Sequence, residues 1–255
     1  RYSYDGKLPT VVQGNLVYVI DEKGRLTTID YTSGEGKTID TMETNTNPTK
    51  IVLKGGYLWI LGTKIASVVV RVSLNNSGIP ERMDTVYRDW ATLVDFFVTG
   101  DLSRIYLADA ISGIKVLQSE GTECTNITSS FGISLEGYSR AVAERNGVMF
   151  SGESGMDGGL KVINVSRSQK STIGRYWIVQ EIEVSHNTLF ASTNRGIAIL
   201  DISTPESPVI LRDLEILTVD EISVSGNILA VKSGNKILIY DVSSPSEPLL
   251  MDVIQ

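Results

Sequence analysis

The chain repeats itself, and this limits its fold more than any other feature. Val179 to Ser192 (VQEIEVSHNTLFAS) aligns without gaps on Val219 to Lys232 (VDEISVSGNILAVK). GIAILDISTPESPVILRDLEI from Gly196 then lies over KILIYDVSSPSEPLLMDVI from Lys236. The same order of segments recurs upstream with more drift: TVVQGNLVYVID with RLTTIDYT, KIVLKGGYLWIL with SVVVRVS, DFFVTGDLSRIYLAD with GIKVLQS, and RAVAERNGVMFSG with GLKVINVS. With Leu16, Tyr57, Ile105, Val148, Thr188 and Ile228 as equivalent positions, six repeats follow at a spacing of roughly 40 to 48 residues, the period of propellers and solenoids.

Within a repeat the pattern is that of four strands. The last one predicts a short strand at Ile222 to Val224, a second at Ile228 to Val231, a third at Ile237 to Val242 and a fourth at Leu249 to Ile254. Apolar β-branched runs punctuated by Gly-Asn, Asn-Gly and Ser-Pro are strand and turn chemistry, and no segment keeps apolar residues at helical spacing over three turns. Four-stranded sheets that cannot bury both faces alone must stack, and radial stacking leaves only short edges. The expectation is an all-β six-bladed β-propeller with four-stranded antiparallel blades, one domain over 1–255, with blades at 9–45, 48–89, 91–133, 138–178, 179–218 and 219–255. A solenoid has shorter coils, and a sandwich does not explain six copies. Residues 1–8 hold a candidate clasp strand, Tyr2 to Asp5, for ring closure beside the last blade.

Gly196-Ile197-Ala198-Ile199-Leu200-Asp201-Ile202-Ser203 followed by Thr204-Pro205-Glu206-Ser207-Pro208, and Lys236-Ile237-Leu238-Ile239-Tyr240-Asp241-Val242-Ser243 followed by Ser244-Pro245-Ser246-Glu247-Pro248, resemble the LVIVD repeat family of bacterial and archaeal surface-associated β-propellers. Gly159-Leu160-Lys161-Val162-Ile163-Asn164-Val165-Ser166 is a third match, with Asn in place of Asp. The resemblance weakens toward the N-terminus, where Arg71 and Gln118 are read at the Asp position of the second and third repeats. It implies a propeller and an extracellular or cell-surface setting, and no defined reaction.

Composition removes several function classes. With 23 Lys and Arg against 30 Asp and Glu the net charge is −7, the wrong sign for phosphate-backbone binding, so nucleic acid is not an expected partner. One cysteine, Cys124, and one histidine, His186, exclude an intramolecular disulfide and any Cys- or His-cluster metal site. No apolar run reaches the roughly 18 residues of a membrane helix, and direct membrane insertion is not expected. Sequons at Asn75, Asn126 and Asn164 are about what chance supplies. The chain starts at Arg1 without Met, so an initiator, a signal peptide or an upstream region is expected to have been removed.

Asp30-x-Thr32, Asp201-x-Ser203 and Asp241-x-Ser243 repeat at the exit of the third strand. A carboxylate ring for a metal is one reading; turn-setting hydrogen bonds to nearby amides are the favoured one. Ahead of each innermost strand stand Pro9, Lys50, Asp95, Arg140, Glu181 and Glu221, with a one-residue adjustment in the fourth repeat. These predict a charged axial rim in which neighbours of opposite sign pair, leaving an acidic sector at Glu181 and Glu221 for a cation or a basic group. Loop candidates are Trp90, in a connection, and Glu153 and Asp157 in the Gly-rich segment 151–159. That segment lacks the spacing of a calcium loop, so Ca²⁺ is only an outside reading, no cofactor is expected, and a flexible hairpin is favoured. His186 sits where the next repeat has Gly226, at an exposed hairpin, and Cys124 has no basic neighbours in sequence, so neither is expected to be catalytic. Tyr57, Trp59, Phe96, Phe97 and Trp177 are assigned to interblade packing.

The expected function is a non-enzymatic, monomeric interaction module of a surface or secreted protein, binding a protein or a surface glycan. The alternative is a metal-dependent hydrolase or lactonase using axial carboxylates such as Asp95, Glu181 and Glu221. Lys50 and Arg140 in the same rim oppose it, because they neutralise metal ligands.

Overall fold

The computed structural model describes residues 8–120, 123–131, 135, 137–155, 157–164 and 166–255. The clasp expected at Tyr2 to Asp5 lies outside the described residues. Among them the only helical element is a 3-10 turn at Thr128–Phe131, and no helix is long and apolar enough to cross a membrane. Everything else regular is strand, in six four-stranded sheets.

Each sheet uses four strands in chain order. The first holds β1 (Thr10–Gln13), β2 (Leu16–Ile20), β3 (Arg25–Asp30) and β4 (Lys37–Glu43), and the second β5 (Asn47–Lys54), β6 (Tyr57–Thr63), β7 (Ser67–Leu74) and β8 (Pro80–Asp89). The third holds β9 (Leu93–Val98), β10 (Arg104–Asp109), β11 (Gly113–Glu120) and β12 (Glu123–Asn126), and the fourth β13 (Ser139–Arg145), β14 (Val148–Glu153), β15 (Gly159–Asn164) and β16 (Gln169–Ile173). The fifth holds β17 (Glu181–Ser185), β18 (Thr188–Thr193), β19 (Gly196–Asp201) and β20 (Val209–Glu215), and the sixth β21 (Glu221–Ser225), β22 (Ile228–Ser233), β23 (Lys236–Asp241) and β24 (Leu249–Ile254). The six antiparallel sheets are the blades of a six-bladed β-propeller, as the repeat predicts.

The first and second strands of five blades are joined by two-residue hairpins whose first residue has positive φ: Gly14, Gly55, Asn146, His186 and Gly226. Such turns match the right-handed twist of the strands and favour Gly or Asn. His186, at φ 53°, therefore replaces a glycine in a turn, as its alignment with Gly226 implies. Its Nδ1 lies 3.1 Å from Ser185 Oγ on an exposed hairpin.

The chain packs as two compact units, residues 1–105 with 117–126, and residues 106–116 with 127–255. In the first, Tyr18, Ile20 and Leu26 of blade one pack with Ile51, Leu58, Ile60, Val68, Val70 and Val72 of blade two. In the second, Phe190, Ile197 and Ile199 of blade five pack with Ile222, Leu229 and Val231 of blade six. Alternate residues of a strand face opposite neighbours, so central strands buried on both sides read as unbroken apolar runs; β14 and β15 are buried along their whole length. Trp59, Phe96 and Trp177 are buried, which agrees with their assignment to packing.

Candidate functional site

The third-strand Asp residues set turns. Asp30 Oδ1 accepts the Thr32 amide at 2.8 Å and the Thr32 hydroxyl at 2.5 Å. Asp201 and Asp241 accept the amides of Ser203 and Ser243 at 2.7 and 2.8 Å. The Thr32 hydroxyl, with its amide, holds the Asp30 carboxyl below the usual aspartate range, and the Ser243 amide does the same for Asp241. Asn164 substitutes without loss: its Oδ1 accepts from Ser166 Oγ at 2.8 Å and the Arg167 amide at 3.1 Å. Asn164 is buried, and its Nδ2 donates to Glu206 Oε1 at 3.3 Å. In blade two the Asp position belongs to Ser73, not Arg71: Tyr57 pairs with Ser73 as Thr188 pairs with Asp201, because β7 has eight residues where β19 has six. Arg71 instead lies against the Tyr57 and Trp59 rings, at 4.9 and 5.6 Å from their centroids, and 3.9 Å from Asp84.

The expected rim residues occupy different environments. In the first compact unit Lys50 forms an ion pair with Asp95, whose Oδ1 also accepts the Phe96 amide at 2.8 Å, and the Lys50 ammonium stands over the Phe96 ring. This is pairing between adjacent blades, as the alternation of sign suggests. In the second unit Arg140 departs from the alignment. A bulge between Ser139 and Ala141 leaves Arg140 out of register, and Ala141, paired with Gly152, takes the place that Glu181, paired with Ser192, holds in β17. Arg140 is exposed and donates to Ser154 Oγ at 3.3 Å. Glu181 begins β17, and its Oε2 accepts the amide of Ile222, in the next blade, at 2.7 Å. Glu221 is exposed at the start of β21. Glu181 thus seats blade six through its carboxylate. Replacing Glu181 with Ala is expected to cost about 1–3 kcal/mol in urea unfolding, because the buried Ile222 amide loses its acceptor, whereas Glu181→Gln keeps an oxygen there and costs less. Equal losses in the two variants would show that the hydrogen bond is not what matters.

Among the described residues no group of three or more His, Cys, Asp or Glu is placed to hold a metal ion. Burial pushes the Cys124 thiol up, against the smaller opposing effects of Ser119 and Arg71. A cleft of about 390 Å³ in the first compact unit is lined by Gln13, Leu16, Leu74, Asn75, Ser77 and Gly78, and none of the candidate residues borders it.

The loop candidates give a clearer result. Glu153 is not in the loop: it ends β14 and is buried, 3.8 Å from Lys161 Nζ. Lys161, itself buried, also donates to the Asp157 carbonyl at 2.7 Å and to Thr172 Oγ1 at 3.1 Å. After Glu153 the Ser154 amide donates to Tyr138 O at 3.1 Å and the Gly158 amide to Gly155 O at 3.1 Å. Asp157 is exposed and paired with Arg175 at 3.2 Å, and the Arg175 guanidinium lies 6.0 Å from the Tyr176 ring. Trp177 is buried behind Gly174, where a Cβ would fall into its indole ring. Ile178 donates its amide to Asn194 Oδ1 at 3.1 Å. Two exposed tyrosines, Tyr138 and Tyr176, therefore sit with Asp157 and Arg175 on three connections at the same end of blade four, beside Arg140 at the β13 bulge and near a buried ion pair and a buried tryptophan. The sequence reading missed both tyrosines. Their signal was Gly137-Tyr138 and Gly174-Arg175-Tyr176 in interblade connections, where packing does not require an aromatic.

In other blades the connections after the second and fourth strands expose Ile65 and Trp90 in blade two, Ile111 in blade three and Leu217 in blade five. Trp90 is exposed in its connection, as expected.

The LVIVD repeat model matches residues 10–59, 178–213 and 218–254. The last two segments are those in which the motif is plainest; the first shows that the N-terminal repeat retains it as well. None of the curated proteins matches the sequence. Among solved structures, the β-propeller domain of Myceliophthora thermophila Cps50 (Swd1) is similar with a TM-score of 0.74 at 11% identity, covering 98% of this chain and 89% of that one. A protein of unknown function from Desulfotomaculum acetoxidans is similar with a TM-score of 0.72 at 8% identity, covering 97% and 84%. A candidate 6-phosphogluconolactonase from Bacteroides uniformis is similar with a TM-score of 0.71 at 14% identity, again covering 97% and 84%. At these identities the likeness is one of fold.

Proposed function

Taking the chain as a β-propeller built on LVIVD repeats, we propose that it is a non-enzymatic interaction module of a surface or secreted protein, which binds a protein partner through loops at one end of its blades. The observation that carries this reading is the loop cluster on blade four. Tyr138 and Tyr176 present large, stiff, amphipathic surfaces beside Arg175, Asp157 and Arg140, and Gly155 and Gly158 supply backbone between them. Tyrosine, arginine, serine and glycine are the residue types of protein-binding loops, because aromatic side chains contribute contact area at low entropy cost. The frame beneath is fixed, so little ordering is required on binding.

The hydrolase alternative needs rim carboxylates that converge on a metal. Asp95 is paired with Lys50 and Glu181 accepts the Ile222 amide, so each is committed to holding blades together. The double variant Tyr138→Ala, Tyr176→Ala is expected to keep its melting temperature and to lose, by tenfold or more, a protein retained by the wild-type chain from an extract of the producing cells' surface fraction. Equal retention by both sinks the proposal. A surface glycan captured in place of a protein shifts the partner class, and metal-dependent turnover of 6-phosphogluconolactone restores the hydrolase reading.

A further inference from the structure

The sequons at Asn75, Asn126 and Asn164 are alike as sequence and unlike in the structure. Asn164 is buried, its Nδ2 donates to Glu206 Oε1, and its Oδ1 accepts from Ser166 Oγ and the Arg167 amide. Ser166, the hydroxyl residue of that sequon, is thus turned onto the asparagine itself. Asn126 ends β12 and pairs with Leu117 of β11. Beyond it the Ile127 amide donates to the Val116 carbonyl, and Thr128 Oγ1 accepts the Val116 amide, each at 2.9 Å. Residues 126–128 therefore lie along β11, with the backbone and the hydroxyl of the sequon engaged.

Asn75 opens the turn between β7 and β8. Its Oδ1 accepts the amides of Ser77 and Ile79 at 2.9 and 3.0 Å. Its own amide donates to the Ile79 carbonyl, and the Gly78 amide donates to the Asn75 carbonyl, each at 2.9 Å. An asparagine whose oxygen closes a turn in this way has its NH₂ left to offer. Among the described residues no acceptor takes Asn75 Nδ2, and the hydroxyl of the exposed Ser77 has no partner. Blade one holds the turn from one side, because Tyr18 Oη donates to the Gly78 carbonyl at 2.7 Å. The same turn borders the cleft of about 390 Å³, with Gln13, Leu16 and Leu74, and no charged side chain is among the lining residues.

We propose that Asn75 is an N-glycan acceptor in the folded chain and that the structure selects it over Asn126 and Asn164. The co-substrate is an oligosaccharide carried on a polyisoprenyl pyrophosphate. Asn75 Nδ2 forms a bond to C1 of the reducing-end sugar while the bond from C1 to the pyrophosphate oxygen breaks. The electron pair leaves with the lipid pyrophosphate, and the Nδ2 proton passes to a base of the transferase. The free hydroxyl of Ser77 is the group by which a transferase recognises the sequon. The cleft has the size of a small-ligand site, and its carboxamides at Gln13 and Asn76 match sugar hydroxyls, so the first sugar has a seat beside its point of attachment. In the cell the modification rests on the surface or secreted setting proposed above, because sequons are used in that setting.

The test incubates the folded chain with a polyisoprenyl-pyrophosphate oligosaccharide and an oligosaccharyltransferase that modifies all three sequons in synthetic peptides. Glycopeptides are then counted by mass spectrometry. Occupancy at Asn75, relative to its peptide, is expected to exceed that at Asn126 and at Asn164 by tenfold or more. Asn75→Asp keeps an oxygen for the Ser77 and Ile79 amides but has no nitrogen to glycosylate, and Ser77→Ala keeps the backbone amide but removes the hydroxyl. Both variants should keep the melting temperature and lose the glycan at this turn. An Asn75 that stays unmodified in the folded chain overturns the inference, and so does equal occupancy at Asn126 or Asn164, for then the fold does not select. This assay does not depend on where the cell places the chain, so its failure is separate from failure of the surface reading, which fractionation of the producing cells tests.

Discussion

Replacing Gly196 with alanine is expected to cost about 3–5 kcal/mol and to lower the melting temperature by about 10 °C or more. Gly196 opens β19 at a φ of +121°, a conformation that L side chains rarely adopt. A Cβ there would lie 2.0 Å from the Leu214 carbonyl oxygen and 2.6 Å from the Ile216 amide nitrogen. Both atoms are backbone, one in the paired outer strand and one just beyond its end, so no side-chain rotation relieves the contact; β19 and β20 must separate or the turn before β19 must rebuild. Gly159 repeats the device in blade four, with φ +129° and the Ile173 carbonyl 2.7 Å from its would-be Cβ. Gly14 is the control: its φ is +58° but nothing lies within 4 Å, so Gly14→Ala should cost only the left-handed backbone penalty of about 1–2 kcal/mol. Thermal melts of the three variants check the order. A Gly196→Ala chain no less stable than Gly14→Ala would show that the close backbone approach is not maintained.

The blades were legible because the signals that make them are local. A hairpin of Gly226-Asn227, a β-branched run and a Ser-Pro stop act within a few residues of one another, and the repetition supplies each signal several times. The rim was legible as composition but not as chemistry. Lys50 and Asp95 pair as their signs suggest, yet Arg140 is displaced by a bulge that shifts register by one residue, which sequence spacing cannot distinguish from alignment drift. Arg71 was misplaced for a similar reason, since two extra residues in β7 leave the apolar pattern intact. Glu153 was read as a loop carboxylate because its neighbours are Gly and Ser. Its fate depends on Lys161, which is brought beside it only by the β14–β15 pairing. Tyr138 and Tyr176 are functional candidates through exposure, a property of tertiary structure that residue type does not carry.

Removal of Lys161 is expected to be the most damaging single change near the loop cluster. Glu153 is buried, and burial pushes its carboxyl above the usual glutamate range, more strongly than the Lys170 and Lys161 charges and the Lys161 hydrogen bond pull it down. Its folded-state pKa is therefore raised above the unfolded value. Its contribution is fully present below the unfolded pKa of about 4.3 and is lost as pH rises through the folded value, where ionisation must occur in a desolvated site. Two results follow. Glu153→Gln should match the wild type at pH 4 and become progressively more stable than it as pH rises toward 8, measured as the difference in urea midpoints. Lys161→Met should cost about 3–5 kcal/mol at neutral pH, because it leaves a buried carboxylate with less compensation and releases the Asp157 carbonyl and Thr172 hydroxyl. Most of that loss should be recovered in the double variant Glu153→Gln, Lys161→Met, since the uncompensated charge is then gone. A double variant as unstable as Lys161→Met alone would assign the loss to the two released hydrogen bonds, and a Glu153→Gln chain that falls behind the wild type with rising pH would show that the ion pair outweighs the desolvation.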